Sequence, residues 1–118
     1  MRNISFMLTT EQFRNRTKTV TRRLGWKFLK PGDVLMGCEK CMGLKPGQKI
    51  TRLGAIRVVK VKRESLKQMA LCIKYGDAEA RKEGFPEMTG KEFVSMFCRH
   101  MKCEPWAFVT RIEYEYLD

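Results

Sequence analysis

The stretch Ile50-Thr51-Arg52-Leu53-Gly54-Ala55-Ile56-Arg57-Val58-Val59-Lys60-Val61-Lys62 carries the decisive fold signal of this chain. It is rich in β-branched residues, which fit the pleated, half-buried surface of a sheet. Ile56 and Val58 alternate with other residues, and Val59 and Val61 continue the alternation one residue out of phase. A period of two with one phase shift predicts a long strand carrying a bulge, the device that bends strands in small barrels.

Upstream of it, Asp33 to Cys38 reads as a strand introduced by the turn pair Pro31-Gly32, with a polar connection through Lys45-Pro46-Gly47-Gln48. Ile4 to Leu8 reads as a short strand. Thr9-Thr10-Glu11-Gln12 then offers a capping box, with Thr9 as N-cap and Gln12 reaching back, for a short helix through about Arg16. Downstream, Ser65 to Cys72 looks helical, and Asp77 can cap a further helix to Glu83, where Gly84 suits the left-handed residue that ends helices. Thr89 and Glu92 form a second possible capping box, and Phe93, Met96, Phe97 and Met101 recur on one helical face, which predicts core. Phe108, Thr110, Ile112, Tyr114 and Tyr116 alternate with Val109, Arg111, Glu113 and Glu115, the pattern of a terminal strand with one buried face. Strands and helices mix without βαβ regularity. The expected class is therefore α+β: one domain over 1–118, a small β-barrel flanked by short helices.

Composition narrows the partners. At 118 residues with 43% hydrophobic content there is material for one core and no room for a second domain. The 24 basic and 13 acidic residues give +11, a charge that attracts polyanions, with nucleic acid first among them. No apolar run approaches the ~18 residues of a membrane span, and the start Met1 to Leu8 is interrupted too early for a signal peptide, so a cytoplasmic protein without membrane contact is expected. Five cysteines, an odd number at irregular spacing, predict reduced thiols. Cys38 and Cys41 have zinc-ligand spacing, and Cys98, His100 and Cys103 would be needed to complete a site. A single CxxC does not carry that reading, and no metal or other cofactor is expected. Trp26, Phe28 and Trp106 offer faces for stacking a base, although aromatics in so small a domain are more often core.

The chemistry concentrates in Arg16-Thr17-Lys18-Thr19-Val20-Thr21-Arg22-Arg23, followed by Lys30-Pro31-Gly32-Asp33, then Glu83-Gly84-Phe85, a helix, and the strand Ile112-Glu113-Tyr114-Glu115-Tyr116. In order and spacing these pieces resemble the ASCH (activating signal cointegrator homology) family over nearly the whole chain. The resemblance implies a PUA-like β-barrel whose cleft holds RNA or a modified nucleoside. Small single-domain ASCH proteins include amidohydrolases that deacetylate N(4)-acetylcytidine to cytidine and acetate. By motif, Thr21 would be the nucleophile, Lys18 its base, and Glu83 the group passing a proton to the leaving amine. Arg16, Thr19, Arg22 and Arg23 would contact substrate or nucleic acid. The alternatives are a non-catalytic RNA-binding module in translation or RNA modification and a metal-independent ribonuclease.

These roles make physical demands. A lysine is a base only when neutral, and Arg16, Arg22 and Arg23 would favour that form by like-charge repulsion. Glu83 at a helix C-terminus meets the negative end of the dipole, which favours a protonated carboxyl able to shuttle a proton. On an ideal strand, residues three apart lie about 10 Å apart on opposite faces, so Lys18 and Thr21 require a turn between them. Two departures from the family pattern stand out: Arg16 occupies the position usually held by glycine, and the connection Cys38 to Lys49 is long enough to restrict a free nucleoside or touch an RNA chain.

Overall fold

The computed structural model describes residues 1–117. Five strands and four α-helices follow in the order β1 (Arg2–Ser5), α1 (Thr10–Arg14), β2 (Val20–Arg23), β3 (Val34–Cys38), β4 (Arg52–Ser65), α2 (Lys67–Leu71), α3 (Ile73–Lys82), α4 (Gly90–Met101) and β5 (Phe108–Tyr116), with a 3₁₀ turn at Met7–Thr9. The long strand is β4, and its pairing with β5 shifts register between Val58 and Lys60, so the bulge falls at Val59, where the alternation changes phase. The sheet runs β1-β3-β4-β5-β2, with β1 parallel to β3 and every other pair antiparallel.

Curled into a half-barrel, this sheet encloses Ile4, Phe6, Phe13, Leu35, Ile56, Val58, Ile112 and Tyr114. A second cluster, with Leu66, Met69, Phe93, Phe97 and Val109, joins its other side to α2, α3 and α4. The edge strands β1 and β2 do not pair. Arg23, the last residue of β2, instead donates from Nη2 to the carbonyl of Ser5, the last residue of β1, at 2.5 Å. The half-barrel is thus latched by a side chain, and a gap remains beside the latch.

Several local expectations change. The first strand ends at Ser5 because the chain then turns, with Phe6 N–H bonded to Cys38 O. Thr9 makes no side-chain cap bond, and its N–H, which Gln12 would have to satisfy in a capping box, is already bonded to Phe6 O at 3.0 Å; α1 ends at Arg14. Asp77 lies inside α3 and caps a different helix: its Oδ1 accepts the Gly90 N–H at 3.0 Å. That reach is possible because α3 and α4 touch at Gly76 and Gly90. A Cβ on Gly76 would sit 2.0 Å from Met69 O and 3.0 Å from Gly90 Cα, so neither helix could carry a side chain there.

Other punctuation forms as read. Thr89 and Glu92 make the reciprocal capping box of α4. Gly84, at φ +102°, ends α3 with Phe85 N–H on Ala80 O and Gly84 N–H on Arg81 O, the paired bonds of a left-handed helix stop. On α4, Phe93 and Phe97 are buried, whereas Met101 is 41% exposed. Strand β5 has two covered faces rather than one: Val109 and Arg111 are buried as well as Thr110, Ile112 and Tyr114, while Phe108 is exposed. It lies between β4 and β2 with helices against it, so alternation could not reveal its second buried face. Among the described residues no helix is long and apolar enough to cross a membrane.

Candidate active site

The strand geometry of β2 begins only at Val20, and the preceding residues are irregular. Lys18 N–H reaches Gln12 O at 3.3 Å, and its carbonyl accepts the hydroxyls of Tyr114, at 3.1 Å, and Tyr116. Thr19 bridges α3 and β5, donating to Lys82 O at 2.9 Å and accepting from Tyr114 N at 3.1 Å. Pinned this way, the chain turns between Lys18 and Thr21, so both side chains line one cleft. The turn starts at Arg16, whose φ of +62° is the left-handed conformation that glycine adopts freely. The guanidinium of Arg16 packs over the Tyr116 ring at 5.4 Å.

The cleft, about 210 Å³, opens at the gap between the edge strands. Ser5 to Thr9 line it together with the apolar side chains Phe85, Phe93, Met96 and Phe97 and with His100, and Lys18, Thr21, Arg22, Arg23 and Glu83 share the lining. None of the residues of the connection Cys38 to Lys49 lines it. Lys18 is 3% exposed and donates from Nζ to both Glu83 Oε1 and Glu83 O at 2.8 Å. Burial pulls the Lys18 ammonium below the ordinary lysine pKa; Glu83 opposes this, and Arg23 and Arg22 add to it. Arg23 donates from Nε to Thr21 Oγ1 at 3.0 Å and lies 5.1 Å from the Phe6 ring. Thr21 therefore accepts a charged hydrogen bond and keeps its own proton to give.

Behind this cleft lies an ion cluster that sequence reading missed. Arg22 joins Glu83 Oε2 at 3.0 Å, Glu79 Oε1 at 2.5 Å and Glu64 Oε2 at 3.5 Å, while Arg111 donates from Nε to Glu79 Oε1 at 2.5 Å and Tyr75 OH donates to Glu64 Oε1 at 2.9 Å. Burial alone would lower the Arg22 pKa, but Glu83, Glu79 and Glu64 outweigh it and raise it. Burial likewise opposes the charge on Glu79, yet Arg111 and Arg22 hold its carboxyl down at about 2. Lys18, Arg22 and Arg111 balance Glu64, Glu79 and Glu83, so the net +11 lies outside this network. One signal was present: Glu79 and Glu83 are four apart on one helix face, a like-charge pair that demands cations between them. Arg22 Nε is the one buried side-chain polar atom with no partner among the described residues.

The remaining candidates are elsewhere. Thr19 has an exposed side chain and does not line the cleft, nor does Arg16. Glu83 is the C-cap residue of α3, as expected, with its carboxylate held between Lys18 and Arg22. Cys98 and Cys103 bring their sulfurs to 3.8 Å, and all five cysteines are unbridged. Among the described residues no three His, Cys, Asp or Glu side chains gather as a metal site, so Cys38 and Cys41 do not meet Cys98 and Cys103.

No protein-family model matches this chain, and no curated protein matches it in sequence. Its structure is similar to the crystal structure of protein EF3133 from Enterococcus faecalis, assigned to the family model DUF984, with a TM-score of 0.65 and 15% identity over 100% of this chain and 77% of that one. At that identity the likeness is one of fold.

Proposed function

We propose that this chain is an ASCH-like protein with a PUA-like half-barrel, and that its cleft hydrolyses the amide of an N(4)-acetylated cytidine nucleoside to cytidine and acetate. The observation that carries this reading is the meeting of Lys18, Thr21 and Glu83, from two distant segments, in one cleft with apolar walls. The likeness in fold and the order of the motifs support it.

In this reading neutral Lys18 takes the Thr21 proton as Oγ1 attacks the acetyl carbon. Arg23, which donates to Oγ1 in the resting cleft, is the cation next to the acetyl carbon, whose oxygen takes the developing negative charge. When the C–N bond breaks, the proton held by Lys18 passes through Glu83 to the leaving N4 nitrogen, and the acetyl group stays on Thr21 as an ester. Water then attacks the ester and gives a proton to Lys18. The Thr21–acyl bond breaks, Thr21 recovers its proton, and acetate leaves.

Incubating the protein with N(4)-acetylcytidine and following cytidine by chromatography tests this. Wild type should form cytidine and a folded Lys18→Met variant should not; folded wild type that forms none sinks the amidohydrolase. A second reading, a non-catalytic RNA-binding module, is favoured by one feature: Lys18 and Glu83 satisfy each other as a purely structural ion pair would. Absence of turnover with intact RNA binding would be its mark.

A further inference from the structure

Outside the cleft, three aromatic rings are more than half exposed. Trp106 is 60% exposed and Phe108 62%, at the start of β5. Ser65, the cross-strand partner of Phe108, donates to Trp106 O at 2.9 Å and fixes this pair of rings against the end of β4. Lys67 and Gln68 line the groove beside them. Two residues further along, about 7 Å by strand geometry, Arg63 faces Thr110 and donates from Nη1 to Thr110 Oγ1 at 2.8 Å and to Leu24 O at 3.3 Å. Thr110 in turn donates to Gly25 O at 2.6 Å. The loop from Leu24 to Phe28 is therefore fastened to the same end of the sheet. In it Trp26 and Phe28 lie 5.5 Å apart, and Arg2 sits 4.6 Å over the Phe28 ring. Trp26 packs on the core, but Phe28 is 53% exposed and Lys27 is exposed beside it.

We propose that this strip binds single-stranded RNA, with bases on Trp106 and Phe108 and phosphates on Lys67, Arg63 and Lys27. Every base has a π-face, so rings interleaved with cations accept a strand with little regard to sequence. Arg63 spends only Nη1 on the protein, which leaves Nε and Nη2 for a phosphate. The charge to attract the strand is present, because the +11 is not consumed by the buried ion cluster. A protein partner fits less well. Exposed aliphatic side chains are few along it, Leu71 and Ile73 at one end and Leu24 in the loop, and cations interrupt the apolar surface. A second copy of the chain would bring +11 against +11. This inference does not rest on the amidohydrolase reading.

A fluorescent oligocytidylate of about 12 nucleotides, titrated by anisotropy over a salt series, tests it. Wild type should bind with a log–log salt slope of about −2, as for three phosphates, and Lys67→Ala should flatten that slope by about 0.7. The double variant Trp106→Ala/Phe108→Ala, with an unchanged thermal midpoint, should bind about tenfold or more weakly. Its turnover of free N(4)-acetylcytidine should match wild type, which separates this test from that of the cleft. Binding equal to wild type in the double variant would reduce the effect to plain polyanion attraction and overturn the proposal. No binding by wild type would also overturn it and leave the groove to a protein partner.

Discussion

Two groups of buried charge meet at Glu83 and behave differently. In the cluster beneath α3, Glu79 is met by Arg22, Arg111 and Lys82, and Glu64 by Arg22 and Tyr75. Pairing there is nearly complete, so the charges are fixed and serve architecture: they tie β2, β4 and β5 to α3. Across β2, in the cleft, pairing is partial. Lys18 has one carboxylate to share with Arg22, and Thr21 accepts from Arg23 while its proton has no protein acceptor among the described residues. Burial costs free energy in both places, and in the reading proposed above the second supplies the proton that moves. The one buried side-chain polar atom without a partner among the described residues, Arg22 Nε, belongs to the first group, so the contrast rests on the Thr21 proton and not on unpaired charge.

The largest expected effect would break that contrast on the side of the cleft. Thr21→Val should lower kcat on N(4)-acetylcytidine by about 10⁴-fold while leaving urea unfolding nearly unchanged, and Thr21→Ser should recover part of the rate. On the other side, Glu79→Leu leaves Arg22 and Arg111 buried without their shared carboxylate and should cost about 3–5 kcal/mol in urea unfolding. If Thr21→Val proves as destabilising as Glu79→Leu, the two regions are one structural unit and the contrast fails.

The pH dependences sharpen it. Glu79 is held at about 2 against an ordinary 4.5, so its contribution to stability is complete above 4.5 and is lost as pH falls toward 2. Acid titration followed by circular dichroism should show this limb in wild type and a flatter one in Glu79→Gln. Lys18 is shifted the opposite way for a cation: its folded pKa lies below the ordinary lysine value, so the neutral base appears as pH rises through that lowered pKa. The kcat/KM profile should climb to a plateau at a pH below the 10.5 of a free lysine. The smallest effect concerns the turn before Lys18. At φ +62°, Arg16→Gly should be more stable than Arg16→Ala by about 1 kcal/mol, since both lose the contact with Tyr116 and only alanine keeps the left-handed cost. Equal melting temperatures for the two would show that the turn carries no strain.

Much of this arrangement was legible in single residues. The phase shift at Val58-Val59 located the bulge of β4, Thr89 and Glu92 capped α4, and Gly84 stopped α3, because bulges, caps and stops are set within a few residues of chain. Thr9 and Asp77 misled for the same reason in reverse: each has the chemistry of a cap, but a neighbouring carbonyl in one case and another helix in the other took the hydrogen bond. The sheet order, with β1 beside β3 and β2 at the far edge, was not written in any segment.

By itself, then, the sequence determined the α+β class of the fold and the positions of most elements, since periodicity and capping are local properties. Only the tertiary structure decided that Lys18 and Thr21 share a cleft with Glu83, that Arg111 and Glu79 are buried partners rather than surface charges, and that the loop at Leu24 and Gly25 is fastened to β4 and β5. Those outcomes depend on hydrogen bonds and ion pairs between residues up to 98 positions apart, and such pairings are fixed by packing rather than by any pattern along the chain.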